Sequence, residues 1–427
     1  MVVIVGAGIA GASSAYYLSS PRQRTTPSSR SSSIDMTIID ATGRSGACSS
    51  GRSGAYVSRH WADRTKRENL FHESFALHEE LARDLNLHSF HYVSSYRVEI
   101  GDGGYDKERS VNHDIAKENW MDRVPSIESL QGPSAVVDPE ELTKALVGRA
   151  VQQGATFLSK SVCEFDTIDN RVASIRFEDD DLLHIKENED VVLALGPWSS
   201  RVEDWFHIPL PIDGVLSTSL IWDKNNNNNK TDISSPHHLL YFDAAVFCEE
   251  DTNGCHLEIL PRYDGSLYVS GCGESDVLSP QIFRSAEQCP KPERPCVANE
   301  ARVDAARKSL HTLLHRGDKK EERKEAVSMV PPPDHVQACI RPNSPDGVPV
   351  VGQLKPYRNV YVVTGGGPWG ITFGPLMGKC LASLLLNNEE DGTDDRVTPP
   401  VRLASLAPGR FDTIMYRTFL EQRKSKP

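Results

Sequence analysis

Short apolar runs bounded by glycine or turn residues recur along the chain, a pattern typical of strands buried in a parallel sheet. They cover residues 2–5, 36–39, 190–195 and 360–364. A helical stretch at 9–18 lies between the first two runs, so the chain is predicted to open with a β–α–β unit. Residues 19–33 are rich in Ser, Thr, Pro and Arg, and we interpret them as an exposed loop insertion.

A second kind of stretch alternates apolar and polar residues, which indicates half-buried, largely antiparallel strands. These stretches are 92–100, 156–165, 171–177, 210–222, 239–247, 257–260 and 266–270. Helical spacing covers 64–85, 139–153, 301–315 and 376–386, whereas 281–300 is predicted to be a loop. The helix at 139 follows Asp138, a good N-cap, and has Pro139 at its first position.

A G-x-G-x-x-G motif formed by Gly6, Gly8 and Gly11 lies between the first strand and the first helix. This is the context in which the motif binds a dinucleotide. Gly6 permits the tight turn, Gly8 lets a pyrophosphate approach the backbone, and Gly11 lets the helix pack on the strand. The free N–H groups at the helix start, which includes Ile9 and Ala10, are donors for the phosphates.

The second strand ends at Asp40, which can accept hydrogen bonds from ribose hydroxyls, and Ala41 is assigned to the same site. Asp40 follows Gly11 at a wider spacing than is usual, and the insertion at 19–33 accounts for the excess. The motif alone does not distinguish FAD from NAD.

A second glycine-rich segment, which follows the strand at 360–364 and precedes a helix, favours FAD. A helix N-terminus with bare backbone can face the negative charge that a reduced flavin develops near N1, and a simple NAD domain needs no such segment. The residues assigned to the cofactor here are Gly366, Gly367, Pro368, Trp369, Gly370 and Ile371.

The composition narrows the class of protein. The chain has 427 residues, enough for two or three domain-sized units, and its net charge of −12 argues against a nucleic-acid partner. Its nine cysteines form no C-x-x-C pair, so we predict reduced thiols and no metal site. The chain begins with a strand rather than a signal peptide, and glycines and Lys379 interrupt the longest apolar stretch. We therefore expect no transmembrane segment and a cytoplasmic location.

Taken together and in order, several segments resemble the D-amino-acid-oxidase family of FAD-dependent oxidoreductases, which includes glycine oxidase and sarcosine oxidase. The similarity covers nearly the whole chain and is greatest to a fungal branch of putative oxidoreductases. The resemblance of this chain to that branch also implies association with endosomes. The matching segments are 3–11, 38–40, 50–54, 137–139, 193–199, 339–342, 346–349 and 365–374.

The resemblance implies further cofactor contacts. In such proteins a Ser-Gly-(Arg/Lys)-(Ser/Ala)-Gly loop runs beside the pyrophosphate and the flavin ring, and other segments pass the adenosine. The residues implied are Ser50, Gly51, Arg52, Ser53 and Gly54 in the loop, and Val162, Ala194, Gly196 and Trp198 on the adenosine side.

Arg341 is the residue that we predict to bind substrate, because it matches an arginine that pairs with the substrate carboxylate in glycine-oxidase-like chains. A guanidinium is always charged and binds a carboxylate bidentately. Cys339 matches the cysteine that bonds the flavin covalently in monomeric sarcosine oxidases, but the rest of that motif is missing, so non-covalent FAD is expected.

The predicted activity is oxidation of the C–N bond of a small amine or amino acid by hydride transfer to flavin N5. The expected partners are a small-molecule substrate, such as a carboxylated amine, and molecular oxygen or another electron acceptor. Hydride transfer requires no strong base, and Tyr241, Tyr263 and His60 are only weak candidates for one. The alternatives are a flavin-stabilised assembly or trafficking factor with little turnover, and an NAD-type dehydrogenase.

We thus predict an α/β fold in which a Rossmann-type FAD-binding domain is joined to a substrate domain with a mixed, largely antiparallel sheet. The FAD domain is discontinuous, from 1–90, 135–210 and 335–395. The substrate domain comprises 91–134 and 211–334, and a tail comprises 396–427.

Overall fold

A computed structural model describes residues 1–20, 35–99, 126–224, 242–315, 330–387 and 398–411. The strands are β1 (Val2–Val5), β2 (Met36–Asp40), β3 (Tyr56–Ser58), β4 (His91–Tyr92), β5 (Ser95–Val98), β6 (Ile127–Ser129), β7 (Ser134–Val136), β8 (Thr156–Ser159), β9 (Val162–Ile168), β10 (Arg171–Phe177), β11 (Leu182–His184), β12 (Asp190–Leu193), β13 (Asp213–Trp222), β14 (Ala245–Cys248), β15 (Glu258–Pro261), β16 (Leu267–Ser270), β17 (Asp276–Leu278), β18 (His335–Asn343), β19 (Val350–Gln353) and β20 (Val360–Thr364). The helices are α1 (Ile9–Ser19), α2 (Glu68–Asp84), α3 (Pro139–Gln152), α4 (Val202–Phe206), α5 (Pro280–Arg284), α6 (Glu300–His315) and α7 (Gly370–Asn387).

A six-stranded sheet in the order β19-β20-β12-β1-β2-β8 contains the four predicted buried runs. All its pairings are parallel except that of β19 with β20. Every residue of β1 and β20 is buried, as expected for strands covered on both faces. Because β1, β2, β12 and β20 are parallel, their carboxyl ends meet at one edge of the sheet, where ligands bind in such folds.

Helices α1 and α7 pack closely on each other because glycines of α7 let the two backbones approach. A Cβ on Gly374 would lie 2.3 Å from Ile9 Cγ1, and one on Gly378 would lie 2.4 Å from the Ser13 carbonyl carbon. α7 is therefore seated directly on α1. The stretch Gly367–Asn387 is long and apolar enough to cross a membrane, and 72% of its apolar window is buried inside the protein, as in a core helix.

The other large sheet has eight strands in the order β17-β13-β16-β15-β14-β5-β6, with β18 paired to β13. It is mixed, since β14 and β5 are parallel and the other pairings are antiparallel. One face packs on α6 through residues such as Leu220, Val246 and Leu310. The opposite face carries Phe247, Leu260 and Tyr268 and belongs to a separate apolar cluster. The predicted fold class, an α/β protein with a mixed second sheet, is confirmed.

Several element boundaries differ from the prediction. The stretch 156–165 is two strands, because the chain pairs with β2 as far as Ser159 and then enters the antiparallel β9–β10–β11 sheet. Likewise 92–100 divides between β4 and β5. The predicted loop 281–300 overlaps the short helix α5, so the loop begins only after Arg284. Residues 239–241 of a third predicted strand lie outside the described residues.

The strand β18 pairs with β13 over nine positions, from Asp213–Asn343 to Ile221–His335. Residues 335–343 therefore extend the eight-stranded sheet, although the sequence assigned them to the FAD domain. The strands of the six-stranded sheet all come from the three segments assigned to that domain. The described part of the tail packs on β19, since Val351 N–H donates to Leu406 O at 2.9 Å. The division into two domains stays a prediction.

Helix α3 begins as the sequence predicts. The Asp138 carboxylate accepts the Glu141 N–H at 2.7 Å, and Pro139 occupies the first helical position. Helix α7, by contrast, begins at Gly370 rather than at the predicted 376, although Pro375 lies inside it. A proline has no N–H, so the Ile371 carbonyl loses its helical partner. The buried His78 supplies a replacement, since its Nε2 lies 3.0 Å from Ile371 O.

We predict that the buried His78 lowers the free energy of unfolding of the protein in acid. Burial lowers the pKa of His78 from 6.5 to about 4. Its contribution is therefore complete above the unfolded value of about 6.5 and is lost as the pH falls through 4, up to about 3 kcal/mol. We expect the free energy of unfolding, measured with urea from pH 7 to pH 4.5, to fall less steeply in His78→Gln than in the wild type. Equal slopes would contradict this.

Candidate active site

A single continuous cavity extends from the carboxyl edge of the six-stranded sheet to the face of the eight-stranded sheet that carries Phe247. It receives the ends of β1, β2, β12 and β20, the loop before β3, and the N-termini of α1 and α7. Sequence-assigned residues that line it are Gly6, Gly8, Ile9, Ala10, Asp40, Ala41, Ser50, Ser53, Gly54, Val162, Ala194, Gly196, Trp198, Arg341, Gly366, Gly367, Pro368, Trp369, Gly370 and Ile371.

The glycines at the first turn have the separate geometries that the motif requires. Gly6 has a φ of +106°, and a Cβ on it would lie 2.3 Å from Ala194 O. Gly8 occupies the N-cap position of α1, and its backbone lines the cavity with no side chain in the way. Gly11 does not line the cavity, because it faces Gly6, where a Cβ would lie 1.9 Å from the Gly6 carbonyl oxygen. Gly11 is therefore a packing residue in this structure.

Asp40 closes the turn from the side of β2. Its Oδ2 accepts the Ala7 N–H at 2.8 Å, and its Oδ1 accepts the Thr42 N–H at 2.9 Å. Its Oδ1 also accepts from Thr42 Oγ1 at 2.5 Å. A carboxylate has about four acceptor positions, so one remains, on Oδ2, for a ligand in the cavity that Asp40 lines.

The loop at 50–54 connects the two large sheets. Ser50 Oγ accepts the Ile9 N–H at 2.9 Å at the start of α1. Arg52 instead points away from the cavity and donates from Nη1 to Ala338 O at 3.0 Å, and its own carbonyl accepts from Tyr268 and Gln337. Gly51 also lies outside the cavity lining and bonds to Gly46. The sequence assigned both residues to the cofactor, whereas their contacts hold the loop in place.

Both helices that begin at the cavity keep N–H groups available to a ligand, although at α1 the Ile9 N–H already donates to Ser50 Oγ. Neither α1 nor the turn before α7 has a side-chain cap or an acidic residue in its first turn. A Cβ on Gly370 would meet nothing within 4 Å, so the start of α7 opens into free space. Unpaired N–H groups and the positive end of the helix dipole favour an anionic ligand at each position. This donor set fits a dinucleotide at α1 and a flavin ring at α7.

The face of the eight-stranded sheet forms the other end of the cavity. Alternation along β18 places Cys339 and Arg341 on the same face, and both line the cavity. The buried Arg341 Nε has no hydrogen-bond partner, and no ion pair to Arg341 is found among the described residues. A guanidinium that is unpaired in a cavity wall is available to an anionic ligand.

The sequence reasoning missed Glu258, which lines the cavity on β15 and accepts a hydrogen bond from Ser270 Oγ at 2.8 Å. It also missed Phe247 and Leu260, which form an apolar wall together with the sequence-assigned Trp369. A signal for Glu258 existed: it stands two residues before Leu260, so a carboxylate shares a strand face with a buried leucine.

Burial keeps two side chains at this end of the cavity, Cys339 and Tyr268, protonated at neutral pH. Burial raises the pKa of the Cys339 thiol to about 11, although the Arg341 charge opposes the shift. Burial also raises the pKa of Tyr268 well above its usual range. At neutral pH Tyr268 is therefore a hydrogen-bond donor rather than a base.

The two candidate bases that lie within the described residues do not line the cavity. His60 and Tyr263 are absent from its lining, and Tyr263 is 60% exposed. Tyr241 lies outside the described residues.

Comparisons with known proteins agree with this geometry. Residues 1–384 match the DAO family model, described as FAD-dependent oxidoreductase. A Schizosaccharomyces pombe protein described as a putative oxidoreductase is 23% identical over 408 residues, which are 90% of this chain and 94% of that protein. The putative oxidoreductase TDA3 of Saccharomyces cerevisiae is 25% identical over 48% of this chain and 33% of its own length.

Solved structures show the same fold. The glycine oxidase of Geobacillus kaustophilus superposes with a TM-score of 0.64 at 17% identity, over 94% of this chain and 99% of that one. The L-proline dehydrogenase of P. horikoshii gives a TM-score of 0.65 at 15% identity, over 96% of this chain and 97% of that one.

Proposed function

The chain belongs to the DAO family of FAD-dependent oxidoreductases, and we propose that it oxidises the C–N bond of a small substrate that carries both an amine and a carboxylate. The observation that carries this proposal is the unpaired guanidinium of Arg341 in the cavity wall. Structural neighbours that act on amino acids, among them a glycine oxidase, support the reaction class.

We assign the cofactor to the carboxyl edge of the six-stranded sheet. The N–H groups of Gly8 and Ala10 would hold the pyrophosphate, Asp40 would accept from the ribose, and the start of α7 would face the flavin ring. When bound, FAD supplies a hydride acceptor at flavin N5 for the substrate α-carbon.

The substrate would lie between the cofactor and the eight-stranded sheet. Arg341 binds and orients its carboxylate, and Glu258, which shares that sheet face, accepts a hydrogen bond from its amine. Phe247, Leu260 and Trp369 exclude water from the reacting carbon. No side chain needs to act as a strong base, since the amine reacts in its neutral form and the step is governed by orientation.

We propose that the cofactor is bound without a covalent link. Formation of a thioether requires a thiolate, and the raised pKa of Cys339 keeps its sulfur protonated near neutral pH. Cys339 would then pack beside the cofactor, on the same strand face as Arg341.

The test is optical. The purified protein should be yellow, acid precipitation should leave the colour in the supernatant, and anaerobic addition of the right amino acid should bleach the flavin. Admission of air then shows whether oxygen is the electron acceptor. A colourless protein would indicate an NAD-type dehydrogenase, and a yellow protein that no member of an amine and amino-acid panel bleaches would favour an assembly factor. Colour retained in the pellet, and lost in Cys339→Ala, would contradict the non-covalent proposal.

We also propose a cytoplasmic location. All nine cysteines are free thiols, and five of them are partly exposed; their free state is typical of a reducing compartment. Fractionation of cells that express a tagged full chain would test this, with the endosomal fraction as the alternative.

A further inference from the structure

Two histidines and an aspartate converge at the surface, next in sequence to Trp61 and Phe71, which pack on Trp369 in the cavity wall. His60 Nδ1 lies 2.8 Å from one Asp63 carboxylate oxygen, and His72 Nε2 lies 2.9 Å from the other. The three ligand atoms all lie within 4.8 Å of one another. We propose that His60, Asp63 and His72 form a binding site for a divalent transition metal ion of the zinc type. This inference is independent of the proposed oxidation.

The donor set fits such an ion. Two imidazole nitrogens and a carboxylate are ligands that Zn²⁺ takes in open sites, where water occupies the remaining position. Tetrahedral bonds of about 2.1 Å separate ligand atoms by about 3.4 Å, so only small side-chain rotations are needed.

The site is open to an ion from solution. The side chains of His60, Asp63 and His72 are 31%, 42% and 23% exposed, so the site is open without being fully solvated. In the metal-free form each imidazole donates an N–H hydrogen bond to the Asp63 carboxylate. On ligation each would shift its proton to the other ring nitrogen, with no net redox change.

The position gives the ion a structural consequence. His60 lies in the loop before α2, and His72 lies in the second turn of α2, so one ion would clamp the loop to the helix. Their neighbours in sequence, Trp61 and Phe71, both pack on Trp369 of the cavity, with ring centroids 4.9 and 5.0 Å away. Ligation would therefore fix Trp61 and Phe71 against Trp369 in the cavity wall.

The alternative is a hydrogen-bonded triad that holds the loop without metal. Cobalt distinguishes the two, because Co²⁺ in a tetrahedral N/O site has visible absorption and Co²⁺ in water has very little. The flavin-containing protein is titrated with Co²⁺ and read as a difference spectrum. We expect saturation at one ion per chain, displacement by Zn²⁺, and a higher Tm in the presence of Zn²⁺.

Variants make the assignment specific. His72→Ala and Asp63→Asn should weaken Co²⁺ binding by at least 10- to 100-fold, since even the loss of an outer-shell partner costs that much. The matched control is His88→Ala, which removes an exposed histidine outside the cluster and should leave the titration unchanged. No saturable cobalt spectrum in the wild type, or equal binding by His72→Ala and the wild type, would overturn the proposal. Circular dichroism and flavin content verify that each variant is folded.

Discussion

Arg341→Lys is expected to lower kcat/KM on the true substrate by roughly 30- to 1,000-fold, which corresponds to about 2–4 kcal/mol. Lysine keeps the positive charge but loses the planar fork that binds both carboxylate oxygens. Because no described residue forms a hydrogen bond or an ion pair with the Arg341 side chain, the whole effect should fall on substrate. The flavin spectrum should be unchanged, since the pyrophosphate would be held at Gly8, at the other end of the cavity.

Arg97→Lys is the matched control for this substitution. Arg97 lies on β5 and forms an exposed pair with Glu128 at 3.3 Å, so its replacement should leave the kinetics unaltered. Steady-state kinetics with a substrate and with its decarboxylated amine would complete the test. If Arg341→Lys loses equally on both, or loses nothing, the carboxylate role is wrong.

The parts of the fold that the sequence predicts well are those in which the local pattern and the tertiary structure agree. The buried runs at β1, β2, β12 and β20 are short, apolar and bounded by glycine, and they pair in one sheet. The N-cap at Asp138 is likewise a local signal with a local cause.

The differences between the predicted and the observed elements occur where distant residues decide the outcome. Helix α7 extends through Pro375 because His78, almost 300 residues earlier, lies at the Ile371 carbonyl. Strand β18 joins the eight-stranded sheet because β13 offers it a free edge, which no pattern within 335–343 reveals.

The candidate site shows the same division. The glycine motif and Arg341 could be named from the sequence, because each belongs to a contiguous motif. For Glu258 the sequence offers only its alternation with Leu260, and that this strand face meets the cavity depends on a strand order that brings β15 beside β16. Arg52 was assigned to the cofactor by resemblance, yet its guanidinium is bonded to Ala338 O.

Gly8→Ala is expected to yield a folded but nearly colourless protein, with FAD bound roughly 100-fold more weakly. The nearest atom to the added Cβ would be Ser50 Oγ at 3.2 Å, so the fold needs only a small adjustment. The same methyl group would occupy the space through which a pyrophosphate approaches the start of α1. Loss of one or two charge-assisted hydrogen bonds from these N–H groups, at about 1.5–3 kcal/mol each, accounts for the size of the effect.

Two other glycines separate this ligand effect from an effect on folding. In Gly11→Ala the Cβ would lie 1.9 Å from the Gly6 carbonyl oxygen, so that variant should lose stability as well as flavin. In Gly148→Ala nothing lies within 4 Å, and a helical alanine should raise stability by about 0.5–1 kcal/mol with full flavin content. Flavin-to-protein absorbance ratios and Tm values of the three purified variants provide the comparison. Full flavin content in Gly8→Ala would show that the pyrophosphate does not approach the backbone at Gly8, and the cofactor would then have to be placed elsewhere in the cavity.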